Sequence, residues 1–163
     1  MSIHLPFKRR FDEMEGAHLQ LYKRFNAFSE LGSDLETRLH EEVIEWSGWV
    51  YSEMDSIGAI AEGFDTKSIL KHREFVKNSK YHKVIQEASF CRQIINKPEG
   101  YAGDAEMMRI IYHNGFEGST PFGKFMNKLA VQTEACQAVR NRRTFLREQI
   151  MQVKNSGGGG NVL

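Results

Sequence analysis

Residues 35–61 read LETRLHEEVIEWSGWVYSEMDSIGAIA, and the spacing of their apolar positions decides the fold class. Leu35, Leu39, Val43, Trp46, Val50, Met54, Ile57 and Ala61 follow one another at steps of four or three. That spacing predicts one long helix with a single apolar stripe. Its mean period lies slightly above 3.6, so the helix should be nearly straight, with a reach on the order of 40 Å. Ser33-Asp34-Leu35-Glu36 reads as a capping box at its start. Gly48 and Gly58 are expected to bend it or to admit a neighbour closely. Trp46 and Trp49 read as core anchors. Glu41, Glu42 and Glu45 read as a solvated face.

Upstream, Phe7, Phe11, Met14, His18, Leu21, Phe25 and Phe28 alternate steps of four and three, the spacing of a helix stripe or a coiled-coil seam. His18 falls inside the stripe with no companion at ligand spacing, and so reads as a neutral histidine packed beside the core. Leu31-Gly32-Ser33 ends this first helix. The two segments together predict a long N-terminal hairpin.

Downstream, Gly63 closes the long helix and Asp65 caps the next, which carries Ile69, Leu70, Phe75 and Val76. Asn78-Ser79 interrupts, and a further helix from Tyr81 to Ile95 leads into Pro98. His72 and His82 read as surface histidines. In Lys97-Pro98-Glu99-Gly100-Tyr101-Ala102-Gly103-Asp104, proline closes the preceding helix and Gly100 and Gly103 permit a sharp bend. Asp104 caps the helix of Met107, Met108, Ile110 and Ile111, which ends near Asn114-Gly115. Thr120-Pro121 opens another helix. Lys124 is followed by Phe125, which rules out a phosphate loop. The last helix, from about Thr133, carries Ala135, Ala138, Val139, Arg142, Phe145, Leu146, Gln149, Ile150 and Val153 along one face. Arg142 within that face predicts a buried stem, or a pairing with an acid such as Asp104 or with an anionic ligand.

The chain is 163 residues long, with 22 Lys and Arg against 21 Asp and Glu. One domain of that size can bury a core. A formal charge of +1 argues against nucleic acid as a partner. Cys91 and Cys136 form neither a disulfide framework nor a metal pattern. No stretch suits a membrane span or a signal peptide, so a cytoplasmic protein is expected. The reading is an all-α multi-helix bundle of six or seven helices over residues 1–154. A glycine-rich linker at 155–160 and the first residues of a further domain, 161–163, complete the expected organisation.

Three motifs in order carry a resemblance: Lys97 to Asp104 with Glu106-Met107-Met108, then Pro121-Phe122-Gly123-Lys124, then Ala138-Val139-Arg140-Asn141-Arg142-Arg143. Residues from about Tyr81 onward thereby resemble the N-terminal helical region of bacterial class I S-adenosylmethionine-dependent methyltransferases of the extracellular-factor, hydroxy-fatty-acid methyl ester type. The resemblance implies that Asn161-Val162-Leu163 starts a truncated Rossmann-like catalytic domain, and that S-adenosylmethionine binds mostly there. It implies catalytic roles for Tyr101 and Asp104, and acceptor contacts from Asn141, Arg142 and Arg143. Tyr101 and Gly103 would touch the cofactor. The acceptor would be a small or fatty-acid-like molecule, and these residues alone would be inactive. The competing reading is a non-enzymatic interaction module, in which the hairpin packs against a second copy to form a homodimer.

Overall fold

The computed structural model describes residues 2–98, 100 and 103–155. Among these the chain is all-α, with α1 (Leu5–Asn26), α2 (Leu35–Glu62), α3 (Thr66–Lys77), α4 (Lys80–Ile85), α5 (Ser89–Asn96), α6 (Ala105–His113), α7 (Pro121–Val131) and α8 (Glu134–Asn155). The residues of the expected linker and following domain, 156–163, lie outside the described set, while Asn155 still belongs to α8.

The hairpin forms as its two stripes predict. Phe7, Phe11, Met14, His18, Leu21 and Phe25 of α1 are all buried. Arg10 pairs with Glu53, His18 meets the ring of Trp49, and Arg24 pairs with Glu42. The partners run in reverse order, so α1 and α2 are antiparallel. The connection differs from the capping box. Ala27–Asp34 forms a 3₁₀ segment kinked at Gly32, whose φ is 55°, and no side chain caps α2. Helical backbone on both sides of the kink leaves Ser33 and Asp34 without the extended conformation that a capping residue needs.

Four other helices, α3, α4, α6 and α7, do start on side-chain caps. The side chains of Asp65, Ser79, Asp104 and Thr120 accept hydrogen bonds from the amides of Ser68, His82, Met107 and Gly123. The helix expected from Tyr81 to Ile95 is broken at Gln86–Ala88. There the Ser89 amide donates to the Glu117 carbonyl (3.3 Å) and the Ser119 amide to that of Glu87 (3.0 Å). A Cβ on Gly123 would lie 2.5 Å from the Glu87 carbonyl oxygen. Glycine there lets the start of α7 press on this backbone, and the loop-to-loop bonds replace the helical ones. The result is eight α-helices among the described residues.

The bundle is centred on α7. Phe122, Gly123, Phe125, Met126, Asn127, Leu129 and Val131 of this helix are buried, and it packs against α1, α2, α4, α5 and α8. Only Lys124 and Lys128 among its side chains carry charge, and a helix this apolar belongs in a core rather than on a surface. Phe25, Phe122 and Phe125 are completely buried, each worth roughly 1.5–3 kcal/mol of transfer free energy. Asn127 accepts from the Phe90 amide (2.9 Å) and donates to the Gly115 carbonyl (2.9 Å). It thereby satisfies two backbone groups that the helix ends leave open.

Two charged or polar expectations are corrected. Glu42 is completely buried rather than solvated: it accepts from Arg24 (2.7 Å), Arg38 (2.7 Å) and the Trp46 indole (3.1 Å). His72 is buried between Phe7 and Phe64 and is not a surface residue. Its Nε2 accepts from the His4 amide (2.9 Å), and its Nδ1 donates to the Ser68 carbonyl (2.7 Å). Gly48 and Gly58 face open space, so neither admits a neighbouring helix.

Candidate functional site

The loop between α5 and α6 is held by its polar residues. Lys97 ends α5 in the left-handed region, with φ at 44°, and Gly100 and Gly103 follow at φ of 80° and 115°. The Gly100 amide donates to the Lys97 carbonyl (2.8 Å) and closes a turn. Asp104 is buried. One carboxylate oxygen accepts from the Met107 amide (2.7 Å) and the other from Gln93 Nε2 (2.6 Å). The acid that caps α6 therefore also ties that helix to α5. Tyr101 lies outside the described residues.

The arginine-rich element takes a different part from the one its stripe predicts. Asn141, Arg142 and Arg143 are exposed on α8. Asn141 accepts from Gln137 (2.7 Å), and the Arg143 guanidinium lies 4.6 Å from the centre of the Tyr112 ring. Arg142 has no hydrogen-bond or ion-pair partner among the described residues, so its expected pairing with Asp104 is not formed; Gln93 occupies that place. The guanidinium that turns inward is that of Arg140. It donates to the carbonyls of Val131 (2.6 Å) and Ile111 (3.3 Å). These sit in the last turns of α7 and α6, where carbonyls are unpaired and the helix dipoles favour a cation.

A cavity of about 450 Å³ opens beside this brace, lined by α2, α4, α5, α6, α7 and α8. Its wall is almost wholly apolar. Ile94 of α5 and Met107 of α6 come from the two helices that Asp104 joins, while Met126, Ala130 and Val139 come from α7 and α8. The cavity lies where two core clusters meet, one built on the hairpin and α7, the other on α5, α6 and Cys136. Its polar groups are few. The Tyr51 hydroxyl donates to the Leu129 carbonyl (2.8 Å). The Tyr81 hydroxyl has no hydrogen-bond partner among the described residues, and burial raises its pKa above the usual phenol value. Burial likewise pushes the Cys91 thiol up to about 12. Both groups are thus protonated at neutral pH, and a neutral phenol in an apolar wall is a hydrogen-bond donor for a hydroxyl or carbonyl.

Periodicity could not reveal this cavity, because its lining comes from six helices and each contribution reads locally as core. Among the described residues no group of histidine, cysteine and acidic side chains could hold a metal ion, and no helix is long and apolar enough to cross a membrane. Comparison with family models, curated proteins and solved structures returned no match to this chain.

Proposed function

We propose that this bundle is the acceptor-side domain of an S-adenosylmethionine-dependent methyltransferase, and that the apolar cavity receives the aliphatic body of a fatty-acid-like acceptor. The observation that carries the reading is the cavity's place: its wall includes both helices joined by the motif loop, locked together through Asp104. An apolar chamber of this volume lies within the range of small-molecule sites. Tyr81 supplies the neutral donor that would orient a polar group of the acceptor.

The cavity does not fit S-adenosylmethionine itself. Among the described residues its wall offers no carboxylate to a ribose and no cation to the methionine carboxylate. The cofactor, which supplies an electrophilic methyl group when bound, is therefore assigned to the Rossmann-like domain that the resemblance places after a linker at 155–160. This chain's contribution is to hold the acceptor and exclude water, which strengthens positioning at the reacting centre. Tyr101 and Asp104 stay as the proposed loop contacts to the reaction, Tyr101 and Gly103 as contacts to the cofactor, and Asn141, Arg142 and Arg143 as exposed groups for an acceptor carboxylate.

Methyl-transfer turnover by the full-length protein tests this. Tyr101→Phe and Asp104→Asn should each lower turnover by roughly ten-fold or more, the range of a positioned proton-handling group. Wild-type rates in both, with helicity intact, would leave the loop a scaffold and refute its catalytic role.

A second reading, the interaction module, is favoured by one observation. Phe145, Leu146, Ile150 and Met151 of α8 are each about half exposed on a helix of which only Cys136 is buried. The α1 stripe, by contrast, is used within the chain. Light scattering separates the two readings: a dimer dissociated by Leu146→Asp supports the module, and a monomer at all concentrations removes it.

A further inference from the structure

A second concavity, of about 550 Å³, is lined mainly by residues of α3 and α5, with Phe7, Phe64 and His82 beside them, and it shares Ile94 with the first cavity. Ile69, Ile94 and Ile95 of its lining are 48%, 36% and 38% exposed overall, and Arg73, Lys77 and Lys97 stand among them. Among the described residues no acidic side chain lines it, and the nearest ion pair is that of Lys77 with Glu74 on the same helix (3.7 Å). The surrounding sequence is strongly biased. Residues 66–97 hold eight Lys and Arg against two Glu, whereas the whole chain holds 22 against 21, which leaves fourteen against nineteen elsewhere. A near-neutral protein thus carries a net +6 segment beside a net −5 remainder.

Lys97 adds an independent sign. It occupies the left-handed position after α5, φ 44°, where glycine or asparagine avoids the crowding of a Cβ against the carbonyl. A lysine kept there at a conformational cost points to use of its charge.

We propose that this groove docks a carboxylate-rich amphipathic helix of a partner protein, its apolar stripe on Ile69, Ile94 and Ile95 and its acids beside Arg73, Lys77 and Lys97. Apolar anchors set in a groove and ringed by complementary charge are the usual means of holding such a helix. An anionic membrane is disfavoured because the apolar groups lie in a concavity instead of projecting from a convex face. Nucleic acid is disfavoured because Phe7 and Phe64, the aromatic residues of the groove, are already packed against each other and against His72. Base stacking would need free ring faces.

The test titrates the chain into a fluorescent helical peptide of about five turns, with leucines at steps of three and four flanked by glutamates. A matched peptide carries glutamine in place of every glutamate. The glutamate peptide should bind, and the glutamine peptide should bind roughly ten-fold more weakly or worse. Arg73→Glu with Lys77→Glu, both exposed positions, should weaken binding by a similar factor. Lys97→Gly should raise the thermal midpoint by relieving strain and yet weaken peptide binding, a combination that a purely structural Lys97 would not produce. Equal binding of the two peptides, binding of neither, unchanged affinity in the variants, or partition onto phosphatidylglycerol vesicles in preference to the peptide would each overturn the proposal. Arg73→Glu with Lys77→Glu, both on α3 and outside the lining of the other cavity, should leave aliphatic ligand binding there unchanged, so the two assignments stand or fall separately.

Discussion

Glu42 shows how a buried charge is kept. Its carboxylate is completely enclosed, yet Arg24, Arg38 and Trp46 donate to it, and both guanidinium groups remain partly in water. Breaking a buried pair from the cationic side costs more, because the stranded carboxylate stays buried while a stranded arginine can be hydrated. Arg24→Ala with Arg38→Ala should therefore cost about 3–5 kcal/mol in urea denaturation, and Glu42→Gln only about 1–2 kcal/mol. His18 makes a different prediction. It is completely buried, donates from Nδ1 to the Met14 carbonyl (2.9 Å), and leaves Nε2 without a partner. Burial holds its pKa below the ordinary 6.5, with the Met14 bond opposing in part. The unfolded chain then binds the proton more readily, so stability is full above pH 6.5 and falls as pH drops below it, until the folded state's lower pKa is passed. The slope reaches at most about 1.4 kcal/mol per pH unit, and His18→Leu should remove that component from a stability–pH curve. Sequence spacing placed His18 in the core correctly. It could not place Glu42, His72 or Arg140, since their partners lie on other helices or at distant helix ends.

At the scale of elements, the most legible features were local ones. The α1 stripe and the caps at Asp65, Asp104 and Thr120 depend on neighbours within a few residues, and all form; Ser79, read only as an interruption, proves to be a cap as well. The break between α4 and α5 was hidden, because it is imposed by contact with the distant Gly118–Gly123 segment. Glycines divide along the same line. Gly48 and Gly58 meet nothing, so alanine at either should stabilise by roughly 0.5–1 kcal/mol, as in any exposed helix interior. Gly123→Ala should destabilise instead, since its Cβ would fall 2.5 Å from backbone that cannot swing aside. Thermal unfolding of these single variants reads both signs directly. The apolar face of α8 was visible as a stripe, but its exposure was not, because periodicity identifies an apolar face without saying what covers it.

Across the whole molecule, a hairpin and a buried α7 build one cluster, α5, α6 and the start of α8 build another, and the apolar cavity lies between them. The all-α class followed from helix periods alone. The cavity did not, since it exists only where six helices converge. Fluorescence titration with cis-parinaric acid, with energy transfer from Trp46 and Trp49, reads out whether the cavity is an acceptor chamber. Saturable binding of one equivalent is expected, weakened roughly ten-fold by Ala130→Phe or Val139→Phe, the scale expected when a side chain fills a ligand's space. Helicity and thermal midpoint should hold in at least one of the two variants. Absence of saturable binding to the wild-type chain, or undiminished affinity in a folded variant, would contradict that role.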